Sequence, residues 1–291
     1  LKPAPWRKLE GKVPLISCFT APCTHGCPIH QDIPEYIELL GKGDALGSLR
    51  LITDKNPLPF MTGTVCNHRC MDKCTRNFYE QPVHIRSVKL QAARQGFDAL
   101  MAELTTPQPT SPHRVAVVGG GPGGMSAAFF LGRQGVSVTL FEREERLGGI
   151  VRYVVPEFRI PEESVDKDVA LMQRMGVEVR AGAPAPSLRE LKDQGFTHVV
   201  YAVGAQAPGT LSLEKGEALN VIDFLREHRA GRLQDLGSDV VVIGGGNTAM
   251  DAARAARRTQ GVQHSRVVYR RTRRYMPADE EELLLALADG V

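Results

Sequence analysis

The stretch that decides the fold is Val115-Ala-Val-Val-Gly-Gly-Gly-Pro-Gly-Gly124. An apolar, β-branched run stops at a glycine knot, and a helix-like pattern, Met125 to Leu131, starts at once. The reading is strand, tight turn, helix. Gly119, Gly121 and Gly124 stand at G-x-G-x-x-G spacing. The first glycine permits the turn, the second lets backbone approach a pyrophosphate, and the third lets helix pack on strand. The helix N-terminus then presents free N–H groups and a partial positive charge to phosphate oxygens. A lone motif of this kind is weak, and a purely structural glycine turn is the competing reading. Its surroundings favour the nucleotide. A second apolar strand, Val136 to Phe141, ends in Glu142, and an acid about 20 residues past the glycines is where a ribose hydroxyl is gripped.

Further along, Asp239-Val-Val-Val-Ile-Gly-Gly-Gly-Asn-Thr-Ala-Met250 repeats the pattern, with Gly244, Gly246 and Ala249 at G-x-G-x-x-A spacing. A helix over 249–258 and a strand over 266–269 follow. An NAD site would place an acid at the end of that strand, whereas Arg270 and Arg271 stand there, with Arg273 and Arg274 close behind. Cations in that place fit the 2′-phosphate of NADP. The alternative is a solvated charge run. No third parallel strand is legible before Val291, so this second unit reads as incomplete. Between the two motifs the pattern predicts strands over 114–118, 136–141 and 197–203, a short strand over 177–180 and a helix over 220–228. Glu142 fits an unphosphorylated ribose, as in FAD. Gly148-Gly149 and Ala202-Val-Gly204 supply further places where backbone can approach a cofactor.

Residues 1 to about 105 hold little that looks like strand. Asp32-Ile-Pro-Glu-Tyr-Ile-Glu-Leu-Leu40 reads as a capped amphipathic helix with Pro34 in its first turn, ended by Gly41 and Gly43. Helices over 44–53 and 83–104 follow. Thr105-Thr-Pro-Gln-Pro-Thr-Ser-Pro-His113 has three prolines and no apolar period, and reads as a linker at a domain boundary.

All six cysteines precede position 75: Cys18-x4-Cys23-x3-Cys27-Pro28 and Cys66-x3-Cys70-x3-Cys74. Clustered thiols in a chain that reads as cytosolic point to metal rather than disulfides. Cys23-x3-Cys27-Pro28 reproduces the ending of the bacterial ferredoxin run, whose last cysteine serves the other of two clusters. On spacing alone, Cys18 and Cys23 would serve one cluster and Cys27 the other. Six thiolates across two cubanes leave each one ligand short. Zinc is the competing metal, although paired C-x2-C knuckles are absent. Free structural cysteines are the third reading.

The bulk numbers bound the rest. The chain has 291 residues, 42% hydrophobic and 24% charged, with a net charge of +3. That charge is too mild to argue for nucleic acid or a membrane surface. No apolar run approaches the roughly 20 residues of a membrane span. The start, Leu1-Lys-Pro-Ala-Pro-Trp6, shows no secretory pattern and no methionine. It reads as part of a longer, cytoplasmic protein.

Taken together these residues resemble the small (β) subunit of NADPH-dependent glutamate synthase and its relatives. Those include the amino-terminal half of dihydropyrimidine dehydrogenase and the flavoprotein and iron–sulfur subunit of the selenate reductase type, to which the likeness is nearest. The stretches that carry it are Ala21-Pro-Cys-Thr-His-Gly-Cys-Pro-Ile29, Asp32-Ile-Pro-Glu-Tyr-Ile37, Lys55-Asn-Pro-Leu-Pro-Phe60, Thr62-Gly-Thr-Val-Cys66, Pro156-Glu-Phe-Arg-Ile-Pro161, Gly246-Asn-Thr-Ala-Met-Asp251 and Tyr269-Arg-Arg271 with Met276-Pro-Ala278. The resemblance implies an α-helical iron–sulfur domain (1–107) followed by α/β structure with two Rossmann-like dinucleotide-binding domains. These are an FAD domain (108–236) and an NADPH domain (237–291), the second and the C-terminal part of the first being incomplete in this chain. It implies two [4Fe–4S] clusters, one on Cys18, Cys23 and Cys74, the other on Cys27, Cys66 and Cys70. The first cysteine of the family pattern falls at Leu15, and a Gln or Glu ligand falls at Lys89. His25, His68, His84 and Gln91 are candidates to fill the gaps, and three-iron clusters or an open iron are alternatives. For FAD the matching positions are Gly119, Gly121, Pro122, Gly123, Gly124, Glu142, Gly149, Ile150, Arg159, Ala202 and Gly204. For NADPH they are Gly244, Gly246, Asn247, Thr248, Ala249, Arg270, Arg271 and Arg274.

The implied activity is electron input, from NADPH through FAD to [4Fe–4S] clusters and on to a partner reductase or synthase. No side chain is expected to act as acid or base, because the cofactors carry the chemistry. The rival readings are a glutamate synthase β subunit proper, a zinc- or cluster-bearing interaction module without turnover, and an inactive fragment.

Overall fold

The computed structural model describes residues 20–205, 207, 209, 211, 213–232 and 235–291. Helices α1 (Pro22–Gly26), α2 (Ile33–Gly41), α3 (Ala45–Lys55), α4 (Pro59–Val65), α5 (Arg69–Asp72) and α6 (Ile85–Glu103) form the first part. The three longer ones follow the apolar periodicity of the sequence. The shorter α1, α4 and α5 are not legible as periods, being under two and a half turns each. At α3, Asp44 caps the helix by accepting from the Gly47 N–H at 2.7 Å. The matching expectation at α2 fails: Asp32 makes no side-chain cap bond. Its carboxylate is taken by Lys55 Nζ at 2.8 Å, which ties the start of α2 to the end of α3.

A four-stranded parallel sheet follows, in spatial order β3–β2–β1–β4. Its strands are β1 (Arg114–Val118), β2 (Ser137–Phe141), β3 (Glu178–Arg180) and β4 (His198–Tyr201). The reversal of strand order beside β1 opens a crevice at the carboxyl ends of the strands. Register fixes what meets there. Val118 pairs with Phe141 and with Tyr201, so Gly119, Glu142 and Ala202 leave the sheet side by side. Gly119 N–H donates to Phe141 O and Ala202 N–H to Val118 O, both at 2.8 Å. Around the sheet lie α7 (Pro122–Arg133), α8 (Ile150–Tyr153), α9 (Glu162–Gln173) and α10 (Leu188–Asp193). After α11 (Val221–Arg229), a second parallel pair forms, β5 (Asp239–Ile243) and β6 (His264–Val268), joined by α12 (Asn247–Arg258) and followed by α13 (Glu280–Ala288).

The proline-rich stretch 105–113 does not separate two cores. One buried apolar cluster runs from Ile33, Tyr36, Leu49, Phe60 and Phe97 into Val117, Leu140, Val165 and Leu171. The seam is α9 against α4. Phe60 and Phe97 meet edge-on at 5.3 Å, with Lys167 Nζ 5.3 Å above the Phe60 ring. Asp168 reaches across to accept from the N–H groups of Phe60 (3.1 Å) and Met61 (2.7 Å), two donors that α4 cannot satisfy itself. Among the described residues no helix is long and apolar enough to cross a membrane.

Candidate functional site

The first glycine motif opens a cleft of about 580 Å³ at the carboxyl ends of β1, β2 and β4, well within the size range of cofactor sites. Its walls include Gly119, Gly121, Pro122, Gly123, Glu142, Gly149, Ile150, Ala202 and Gly204. Gly119 sits at φ +109°, and a Cβ there would lie 2.4 Å from Ala202 O. Gly124 is not in the wall but beneath it. A Cβ there would lie 1.8 Å from Gly119 O and 3.3 Å from Val117 Cγ1, so only glycine lets α7 seat this close to β1. Glu142 is buried at the cleft floor. One carboxylate oxygen accepts from Gly120 N–H at 2.6 Å and the other from Glu144 N–H at 2.9 Å. A carboxylate has about four acceptor positions, so these bonds hold Glu142 in place and leave it able to accept from ribose hydroxyls. The residues fit a dinucleotide. Arg159 lies elsewhere: it pairs with Asp251 at 2.8 Å and with Glu282, on α12 and α13.

At the second motif, Gly244, Gly246, Asn247, Thr248 and Ala249 make the turn into α12. Asn247 is locked to the following loop by a reciprocal pair of bonds with Asp279, at 2.9 and 2.8 Å. Arg270, Arg271 and Arg274 stand exposed just past β6. Among the described residues no carboxylate comes within ion-pair distance of these three, whereas Arg273 faces Glu280 at 3.6 Å. Unpaired guanidinium groups at the end of this strand fit a phosphate.

The cysteines divide by place. Cys27, Cys66 and Cys70 line one cavity of about 250 Å³, together with Tyr36, His68 and Lys89. Burial pushes the Cys70 thiol up to about 11, and the neighbouring Cys66 and Cys27 sulfurs add to that push while Lys89 opposes it. Cys23 is raised first by burial and, more weakly, by the nearby Cys74 and Cys27. Tyr36 is raised by burial and then by Cys70, Cys27, Cys66 and Cys23. Burial makes the Cys70 and Cys23 thiols poor anions alone, and a bound metal deprotonates coordinating thiols outright. Among the described residues no three His, Cys, Asp or Glu side chains converge on a single ion. Thiols spread round a cavity fit a cluster better than one zinc ion. Cys18 and Leu15 lie outside the described residues.

Of the other donors, His68 lines this cavity, in a left-handed backbone conformation (φ +41°) that is strained for a non-glycine residue. His25, His84 and Gln91 are exposed and outside its lining. Lys89 is 5% exposed, and its Nζ donates to Cys66 Sγ at 3.7 Å. Two features escaped the sequence. Asp168 stands on the buried stripe Val165, Asp168, Leu171, Met172 of α9, and an acid on an apolar stripe is a readable signal. Glu281 of α13 reaches Arg86 at 2.6 Å and His68 at 3.5 Å, a meeting that no local pattern announces.

Residues 113–288 match the family model for pyridine nucleotide-disulphide oxidoreductases, and residues 15–99 match that for dihydropyrimidine dehydrogenase domain II, 4Fe–4S cluster. The chain is 43% identical to the protein YgfK of Escherichia coli (strain K12), across all of this chain and 28% of that protein. It is 38% identical to the NADPH-Fe(3+) oxidoreductase subunit beta of Geobacter sulfurreducens (strain DL-1 / KN400), across 95% of this chain and 42% of that one. It is 32% identical to the glutamate synthase [NADPH] small chain of Mycobacterium tuberculosis (strain ATCC 25618 / H37Rv), across 81% and 52%. The chain thus spans about half or less of the length of these relatives.

Proposed function

This chain belongs to the pyridine nucleotide-disulphide oxidoreductase family, and from that premise we propose that it is the electron-input part of an NADPH-dependent flavin and iron–sulfur oxidoreductase. The observation that carries the proposal is the glycine cleft of about 580 Å³ with Glu142 buried on its floor. FAD is the group this cleft would hold, its ribose against Glu142 and its pyrophosphate against the N–H groups that open α7. Bound there, FAD would supply two-electron acceptance from a nicotinamide and one-electron delivery to iron–sulfur groups. Gly244, Gly246, Asn247, Thr248 and Ala249 would hold NADPH, with Arg270, Arg271 and Arg274 gripping its 2′-phosphate. Cys27, Cys66 and Cys70 would hold one cluster, and Cys23 and Cys74, with Cys18, the other. No cysteine occurs after Cys74 in this sequence, so residues 75–291 supply no cysteine pair to take electrons beside the glycine cleft. The cysteine-rich helices supply the exit, toward a partner protein. That relatives of this chain are named as subunits supports such a partner.

The test is anaerobic purification of the full-length protein that carries this chain, followed by iron, zinc, acid-labile sulfide and flavin measurements and assay of NADPH oxidation with an artificial acceptor. The expected result is about eight irons per chain, the total for two cubanes, with bound flavin and NADPH turnover. Six or seven irons would mean three-iron clusters. Zinc without sulfide would leave an interaction module, and a loaded protein unable to oxidise NADPH would end the proposal. The likeness to the glutamate synthase small chain favours one second reading, a glutaminase-bearing partner, which co-purification decides.

A further inference from the structure

Lys89 projects from α6 into the cavity shared by Cys27, Cys66 and Cys70. It is 5% exposed. Among the described residues no carboxylate lies within ion-pair distance of it. The acid it influences, Asp168, is already engaged by the N–H groups of Phe60 and Met61. The hydrogen-bond acceptor in reach of Nζ is a sulfur, Cys66 Sγ at 3.7 Å. Burying an ammonium with no anion beside it is costly, and the groups positioned to supply one are the three thiols. An ammonium also has no lone pair to give a metal. Its chemistry here is therefore that of a donor and a counter-charge.

We propose that Lys89 is a counter-ion built into the Cys27–Cys66–Cys70 site, donating to the Cys66 sulfur and setting the reduction potential of the iron–sulfur group held there, and that it is not a ligand. The inference rests on the cluster reading given above. A fixed positive charge and a hydrogen bond to a ligand sulfur both favour the more negative, reduced form. The cavity is thus tuned toward easier reduction, which suits a site that accepts electrons.

The experiment is an EPR-monitored redox titration of the full-length protein, wild type against Lys89→Met and Lys89→Arg, with iron and sulfide counted in each. In Lys89→Met one cluster signal should shift to lower potential by about 59 mV or more, a tenfold or greater change in the ratio of reduced to oxidised form for a one-electron couple. The other signal and the iron count should stay put, and Lys89→Arg should restore the wild-type potential. If Lys89→Met does not retain the cluster, Lys89→Leu, which removes the charge and the donor and offers no ligand atom, makes the same comparison. An unchanged potential in the neutral variants would overturn the inference. So would loss of iron in Lys89→Arg as well as in the neutral variants, because that is how a ligand behaves. A wild-type protein without cluster signals would instead overturn the cluster reading itself, before Lys89 is at issue.

Discussion

Asp168 is buried completely, and the backbone N–H groups of Phe60 and Met61 are its hydrogen-bond donors. Burial pushes its carboxyl up to about 8, with those N–H groups and Lys89 pulling the other way. The sign of the consequence is fixed. Between about pH 4 and pH 8 the folded chain keeps a proton that an unfolded aspartate has lost. Stability therefore falls as pH rises through that window. Urea unfolding should show the wild type losing more than about 1 kcal/mol between pH 5 and pH 8 relative to Asp168→Asn. Parallel pH profiles for the two proteins would show that Asp168 stays ionised. Glu142 contrasts with it. Both are buried acids, yet Glu142 could be singled out from its distance past a glycine motif, whereas Asp168 finds its partners in a helix more than a hundred residues away.

The strand–turn–helix units were legible as elements because each is written in consecutive residues. In β1 and α7 the limit is steric. A methyl at Gly124 would lie 1.8 Å from Gly119 O, a backbone atom that cannot rotate away. Gly124→Ala should lower stability by about 1–3 kcal/mol, the usual cost of overpacking, and should also weaken flavin retention, since α7 can only move outward from the cleft. Thermal melts with and without added FAD check both. The buried face of α12 obeys a related rule. Ala249, Ala252, Ala253, Ala255 and Ala256 are all buried, and their small side chains let β5, β6 and neighbouring helices approach closely. Short helices such as α1 and α5 are set by other means. They pack on each other where a Cβ at Gly26 would lie 3.1 Å from Arg69 O, a constraint that leaves no period in the sequence.

Across the whole molecule the parts are tied by charged side chains at their seams. Arg159 (12% exposed) pairs with Asp251 and Glu282, both nearly fully buried, joining the first sheet's surroundings to α12 and α13. Burial raises Asp251 to about 6 even though Arg159 opposes it. Removing the guanidinium would leave two buried carboxylates facing each other. Arg159→Met should therefore cost about 3–5 kcal/mol, read as a lower melting temperature, while the folded fraction keeps its flavin affinity. Lost affinity at an unchanged melting temperature would return Arg159 to the cofactor site that resemblance assigns it. In the Glu281–Arg86 pair the carboxylate is half-exposed although Arg86 is largely buried, and the pair carries less stability. Its interest is its position, since it brings α13 against the rim of the cysteine cavity.

The sequence by itself determined the glycine turns, the strands that feed them, the acid at Glu142 and the cations after β6. Each of these depends on spacing along a few consecutive residues, and local geometry obeys local order. Spacing left the grouping of the cysteines open and resemblance implied it, and only the tertiary structure decided that Lys89 closes the cavity of Cys27, Cys66 and Cys70, that Asp168 caps α4 and that Arg159 serves a seam. Those outcomes depend on which distant surfaces are buried against each other. Burial converts an ordinary charge into one that must find a partner, and the partner is chosen by packing rather than by spacing.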